Sequence, residues 1–335
     1  MTARAFIVGC RGLALDEAER AFLRAARPWG LILFRRNCAE PGQVRALVAS
    51  FRDLLGRDAP VLIDQEGGRV QRLGPPHWRA FPPARRFGEV HERDAGTGLR
   101  LARLGARLIA ADLADLGITV DCLPLLDLGR PETHAVIGDR AYAAEPDSVA
   151  RLGRAVCDGL MEGGVLPVIK HIPGHGRATA DSHEALPVVT ASRQELEADF
   201  APFRSLKDMP LAMTAHVLYT ALDHRVATAS PVVIRDVIRD DIGFDGLLMS
   251  DDLSMRALEG DFRERTRAVF AAGCDLALHC NGRLDEMEAI AAETPDLEGR
   301  ALKRAETALV RRATPGPFDA EAAWRELESG LAALA

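Results

Sequence analysis

Short apolar runs alternate along the chain with longer segments in which apolar residues recur at helical spacing. The runs AFIVG (5–9), LILF (31–34), VLIDQE (61–66), TVDCLPLLD (119–127), VLPVIKH (165–171), LAMTAHV (211–217), GLLMSDD (246–252) and DLALHCN (275–281) read as strands. Between them, 99–116, 148–162, 195–206, 231–240 and 262–272 carry the period of amphipathic helices. Strands apolar at every position, rather than at every second one, are buried on both faces, as in a parallel sheet covered by helices. About eight such units predict an α/β fold, a single (β/α)8 TIM-like barrel with irregular first units, in preference to an open doubly wound sheet. No linker rich in Pro, Gly or Ser divides the chain, so one catalytic domain over 1–335 is expected. Residues 74–89 read as a long irregular loop, and the helical, charged tail from about 299 is expected to pack on the outside of the barrel.

Several of the strand runs turn polar at their carboxyl ends: Asp64-Gln65-Glu66, Asp127, Lys170-His171, His216, Asp251-Asp252 and Asn281. Any one of these reads equally as a loop-entry residue meeting water. Six strands behaving alike point instead to one polar site, because barrel enzymes assemble their active sites at that end.

Composition narrows the function class. The 335 residues are 47% hydrophobic and 27% charged with a net charge of −7, which gives no basic face for nucleic acid. The six cysteines form no CxxC pair and lie mostly in apolar runs, as buried thiols of a reducing compartment do. The first apolar run is too short for a signal peptide, and no stretch approaches the roughly 18 apolar residues of a membrane span. A cytoplasmic protein without membrane contact is expected. Neither a GxGxxG fingerprint nor a P-loop is present, and no cofactor is expected.

Three stretches carry chemistry. In KHIPGHGRATADSHEALP (170–187), small polar residues follow a strand end, and Asp181 and His183 stand one residue apart. In extended chain, i and i+2 side chains share a side, so the carboxylate can fix the imidazole's tautomer and favour its charged form, which suits a general acid/base. In GFDGLLMSDDLSMRAL (243–258) an apolar strand ends in two acids that point to opposite sides. At most one of them then suits the barrel mouth as a nucleophile, metal ligand or acceptor, and one of the pair can instead cap the next helix. Both roles are met if Asp251 is the reactive acid and Asp252 the structural one. In VLIDQEGGRVQRL (61–73), Asp64 precedes a double glycine, with Arg69 and Arg72 beyond it. That set could clamp sugar hydroxyls or make an ordinary surface ion pair.

Together these stretches resemble glycoside hydrolase family 3, in particular its short single-domain β-N-acetylglucosaminidases. The matching motifs are DQEGGRVQR, VIGDRAY (136–142), KHIPGHG with the following DSH, TAHV and SDDLSM, in order between residues 64 and 255. The resemblance implies Asp251 as nucleophile, His183 as general acid and then base, and Asp181 as the residue tuning that histidine. It implies Asp64, Arg72, Arg140, Lys170 and His171 as substrate-binding residues. In many longer relatives a second domain supplies the acid/base; here the loop histidine is expected to serve, on a loop that closes over substrate. The implied reaction is retaining hydrolysis of terminal β-linked N-acetylglucosamine. The implied substrate is N-acetylglucosaminyl-1,6-anhydro-N-acetylmuramic acid and its peptides, a muropeptide class met in peptidoglycan recycling.

Three rivals remain open from the residues. A metal-dependent hydrolase could draw on His171, His175, His183, His216 and Asp251, but their spacing matches no ligand motif, and no metal is expected. A phosphorylase of the same family would use phosphate in place of water. A non-catalytic sugar-binding relative would have no need of Asp251, Asp181 and His183 together. The oligomeric state is not legible.

Overall fold

The structure, a computed structural model, describes residues 2–131, 133–178, 180–182 and 184–333. Among these, eight parallel strands close into a barrel: β1 (Arg4–Val8), β2 (Pro28–Leu33), β3 (Val61–Ile63), β4 (Val120–Asp121), β5 (Leu166–Ile172), β6 (Leu211–Thr214), β7 (Leu247–Asp252) and β8 (Leu276–His279). Each strand pairs with the next, and β8 returns to β1 through Phe6 opposite Ala277. Successive side chains alternate across the pleat, so each apolar run feeds two compartments. Ile7, Ile32, Leu62, Val120, Val168, Met213, Met249 and Leu278 fill the barrel interior. Phe6, Leu31, Val61, Ile169, Ala212, Leu248 and Ala277 meet the surrounding helices.

The helical layer comprises α1 (Glu17–Ala26), α2 (Pro41–Leu55), α3 (Ala84–Arg93), α4 (Ala95–Asp115), α5 (Pro146–Glu162), α6 (Arg193–Ser205), a wide-turn helix at Val233–Asp241, α7 (Phe262–Ala272) and α8 (Leu284–Glu293). Local sequence starts them. Asp16 with Glu19, Ser192 with Glu195 and Asp261 with Glu264 form reciprocal capping boxes at α1, α6 and α7. Pro41 and Pro146 occupy the first helical positions of α2 and α5, where a missing N–H costs nothing. Among the described residues no helix is long and apolar enough to cross a membrane.

The tail divides its work. Helix α9 (Gly299–Val310) sends Ala305 and Ala308 into the cluster that fills the barrel interior, beside residues that precede β6 and β7. It thereby covers the amino-terminal end of the barrel. Helix α10 (Ala320–Ala332) lies outside, with Leu327 close to Gly105 of α4.

The early units are irregular, as anticipated: β1 and β2 change register between Arg4 and Ile7. Three local expectations differ from the structure. The run 119–127 holds only the two residues of β4 plus a bridge from Leu125 to Lys170, because Pro124 has no N–H to pair. Helix α3 begins at Ala84, inside the segment expected to be irregular, and buries Phe87, Val90 and His91. Helix α4 begins earlier than 99, where Asp94 caps Thr97.

Between β3 and β4 a small ribbon, Gln65–Gly67 with Val70–Gln71, stands above the barrel mouth. Its reversal depends on glycine. Gly67 has φ +92 and Gly68 φ +57, and a Cβ on Gly67 would lie 2.4 Å from the Pro82 carbonyl oxygen. The turn brings Arg72 back beside Asp64.

Candidate active site

The carboxyl ends of the strands open into a cavity of about 280 Å³. Asp64, Arg72, Arg140, Lys170, His171, Asp181 and Asp251 all line it. Every expected site residue that the structure describes is therefore gathered in one place. His183, the expected acid/base, lies outside the described residues.

One side of the cavity is a chain of alternating charges. Asp64 accepts from Arg72 Nη2 at 2.9 Å and from Lys170 Nζ at 2.9 Å. Lys170 Nζ also lies 2.7 Å from Glu66 Oε1, and Glu66 takes both Nε and Nη2 of Arg140 at 2.8 Å. Burial opposes ionisation of both carboxyls, yet the cations outweigh it. Lys170 and Arg72 hold Asp64 well below the usual carboxylate range, and Arg140 with Lys170 brings Glu66 down to about 2. Burial equally opposes the Lys170 ammonium, but Asp64 and Glu66 raise its pKa above that of a free lysine. Three cations against two carboxylates leave this wall with one excess positive charge, all of it presented as fixed donors and acceptors suited to hydroxyl groups. Arg69 borders the cavity too, but its guanidinium donates to Asp139 and to the carbonyls of Ala135, Val136 and Ile137, pinning the segment that delivers Arg140.

The next wall is built on Asp127. Its Oδ2 lies 2.7 Å from His171 Nδ1, while Oδ1 accepts the backbone N–H of His171 at 3.2 Å and of His175 at 2.6 Å. Burial opposes the Asp127 charge, and His171 overcomes it, so that the carboxyl is drawn down to about 2. His175, also on the cavity wall, is pushed down to about 4 by burial and by its neighbour His171, so it is neutral at ordinary pH.

At the end of β7 the two acids part company. Asp251 lines the cavity; Asp252 does not. Asp252 instead accepts from Ser254 N at 3.0 Å, Ser254 Oγ at 2.5 Å and Cys280 N at 3.1 Å, tying the turn after β7 to the end of β8. Burial disfavours the Asp251 charge, but His216, His171, the Asp252 N–H and Lys170 together keep its pKa below that of a free aspartate. His216 is anchored by its Nε2 to the Asp252 carbonyl at 3.0 Å.

The loop after β5 crosses this mouth. Tyr219 Oη donates to the Gly174 carbonyl at 2.6 Å, and Thr133 Oγ1 donates to the Gly176 carbonyl at 2.5 Å. Farther along, the Ala257 N–H donates to the Ser182 carbonyl at 3.1 Å. Asp181 is thus carried on a segment docked against the chain that follows Asp251.

The sequence counted Glu66, Asp127 and His216 among the polar strand ends, and His175 and His216 in the metal reading, but assigned none of the four a role in the glycoside site. Their strand-end or motif positions marked the mouth, but which charge each side chain meets is set by pairing between strands distant in sequence. Asn281 kept the bland role: it bonds Glu286 and the Arg283 N–H at the start of α8. Among the described residues no group of three or more His, Cys, Asp or Glu side chains is arranged to hold a metal ion.

Residues 8–311 match the profile of the Glycosyl hydrolase family 3 N terminal domain. A β-hexosaminidase of Chromobacterium violaceum is 41% identical over an alignment of 343 residues, covering 98% of this chain and 96% of that protein. A β-hexosaminidase of Thioalkalivibrio sulfidiphilus is 41% identical over 274 residues, 81% of this chain and 78% of that protein. Native NagZ from Neisseria gonorrhoeae superposes with a TM-score of 0.88 at 33% identity, covering 100% of this chain and 98% of that structure. The same protein in complex with N-trifluoroacetyl-D-glucosamine gives a TM-score of 0.86 at 32% identity.

Proposed function

Because the chain belongs to glycoside hydrolase family 3 and is a β-N-acetylhexosaminidase, we propose that it cleaves terminal β-linked N-acetylglucosamine through a covalent intermediate on Asp251. The observation that carries this reading is the division of labour at the end of β7. Asp251 is ionised and turned to the cavity, while its neighbour is consumed by the turn.

In the first step an Asp251 oxygen bonds the anomeric carbon as the glycosidic C–O bond breaks, and His183 gives its proton to the leaving oxygen. In the second, water loses a proton to His183 and attacks the same carbon, releasing Asp251 and the sugar with retained configuration. Asp181 orients the His183 ring and stabilises its charged form. The charged wall of Asp64, Arg72, Arg140, Lys170 and His171 holds the sugar hydroxyls, and a small cavity fits one terminal residue better than a polymer. The natural substrate is N-acetylglucosaminyl-1,6-anhydro-N-acetylmuramic acid with or without peptide, and the setting is cytoplasmic recycling of peptidoglycan. Six free cysteines, five of them buried, suit a reducing compartment.

The test compares two variants on an activated aryl β-N-acetylglucosaminide and on a disaccharide with a poor leaving group. Asp251→Ala abolishes turnover of both. His183→Ala loses about 10²–10⁴-fold on the disaccharide and far less on the aryl substrate, because only a poor leaving group needs the acid. Near-full activity of Asp251→Ala, or equal losses for His183→Ala on both substrates, contradicts the assignment. Free N-acetylglucosamine as product, unchanged by added phosphate, separates hydrolysis from phosphorolysis.

A further inference from the structure

We propose that Asp127 is a positioning residue that fixes the tautomer of His171, so that the sugar meets a bare ring nitrogen at that point of the pocket. The role rests on the reading of the cavity as a glycoside site.

Asp127 is fully buried and does not line the cavity, whereas His171 does. Its two oxygens are used differently. Oδ1 takes two backbone N–H groups, from His171 and His175, and Oδ2 takes only the His171 ring, at 2.7 Å. An ionised carboxylate can only accept, so His171 Nδ1 must carry the hydrogen of that bond. At any pH where the ring has not taken a second proton, Nε2 is then the nitrogen without one. Nδ1 is committed to the buried side, and Nε2 is the nitrogen left for the cavity.

The cations around it make an uncharged acceptor useful at that point. Arg72, Arg140 and Lys170 are donors only, and both oxygens of Asp64 already accept from cations. A sugar hydroxyl that accepts from one of these cations must still place its own proton. Asp251 is reserved for the anomeric carbon; Asp181 and His175 also border the cavity, and His171 Nε2 is the acceptor that Asp127 holds beside these cations.

Asp127→Asn reverses this locally. The two backbone N–H donors keep the amide oxygen at the Oδ1 position and so turn the NH₂ toward His171 Nδ1. A donor facing Nδ1 selects the tautomer with the hydrogen on Nε2, and the pocket then offers the hydroxyl another donor. The expected cost is about ten- to hundredfold in kcat/KM, with native unfolding behaviour, because a stranded polar hydrogen is penalised on that scale.

The experiment reads the ring directly. Histidine-labelled protein is studied by long-range ¹H–¹⁵N correlation above the histidine pKa, with His171 assigned by its loss in His171→Gln. The wild type is expected to show His171 protonated on Nδ1 and bare on Nε2, and Asp127→Asn the reverse, with the stated loss in kcat/KM on an aryl N-acetylglucosaminide. A wild-type ring bare on Nδ1 overturns the inference, whether or not the variant folds. A tautomer that flips with kcat/KM unchanged overturns the use of Nε2 by the sugar. Failure of the wild type to cleave any N-acetylglucosaminide would instead remove the proposed function and leave the tautomer result standing.

Discussion

Replacing Glu66 with alanine removes one carboxylate from the charged wall and leaves Lys170 and Arg140 facing each other without the group between them. Glu66 is nearly buried and makes three bonds of 2.7–2.8 Å, to Lys170 Nζ and to Nε and Nη2 of Arg140. The excess charge of the wall rises from one to two, in a place water scarcely reaches. Removing one partner of a buried pair costs about 3–5 kcal/mol. The titration of the group leads to the same size: a carboxyl drawn from 4.5 to about 2 contributes on the order of 3 kcal/mol to folding. With an unfolding entropy of about 2.1 cal/mol/K per residue, a chain of 335 residues converts 3–5 kcal/mol into a Tm lowered by roughly 4–7 °C. The folded pKa is depressed, so the contribution is complete above pH 4.5 and disappears as pH falls through about 2. Calorimetry of wild type, Glu66→Ala and Glu66→Gln at neutral pH and at about pH 3 tests this. Glu66→Gln, which keeps one acceptor, falls between the other two. A Tm difference below about 1 °C at neutral pH, or one that does not shrink in acid, refutes the reasoning.

Two further outcomes come from the same geometry. Asp252→Ala leaves the buried Cys280 N–H and the Ser254 N–H without their acceptor, so it should cost about 1–3 kcal/mol in urea unfolding while reducing kcat far less than Asp251→Ala does. Variants that rank the other way in either assay would show that the two acids have been assigned to the wrong roles. His175 is held neutral, its pKa lowered from 6.5 to about 4, so the unfolded chain binds the proton first as pH falls. Its contribution is therefore present above about pH 6.5 and should decline by roughly 2 kcal/mol between about pH 7 and pH 5. His175→Gln should flatten that decline, and an unchanged slope would contradict a neutral buried ring.

The barrel was legible because burial on both faces writes itself as unbroken apolar runs, and because the polar turn at their carboxyl ends points to one mouth. The strand ends marked Asp64, Lys170, His171 and the Asp251–Asp252 pair on those grounds, while the choice of Asp251 and the addition of Asp181, Arg140 and Arg72 came from the family resemblance. What stayed hidden depends on contacts across the chain. Nothing local distinguishes Glu66, which bridges two cations, from an acid in a surface turn. Nothing in VDCLPLLD tells that Asp127 meets a ring 44 residues away. Helix α3 escaped because prolines precede it and arginines and a glycine dilute its apolar face, although Phe87 and Val90 bury it well. Strand β4 was overextended because the run is apolar throughout, while Pro124 breaks its ladder.

The central claim is that Asp251 forms the bond to the sugar. Mass spectrometry of the intact protein, then of its peptides, after exposure to a slow fluorinated N-acetylglucosaminide tests it most directly. The account predicts one sugar added per chain, mapped to Asp251 and absent in Asp251→Ala. An adduct on another residue, or turnover of the reagent by Asp251→Ala at the wild-type rate, would contradict it.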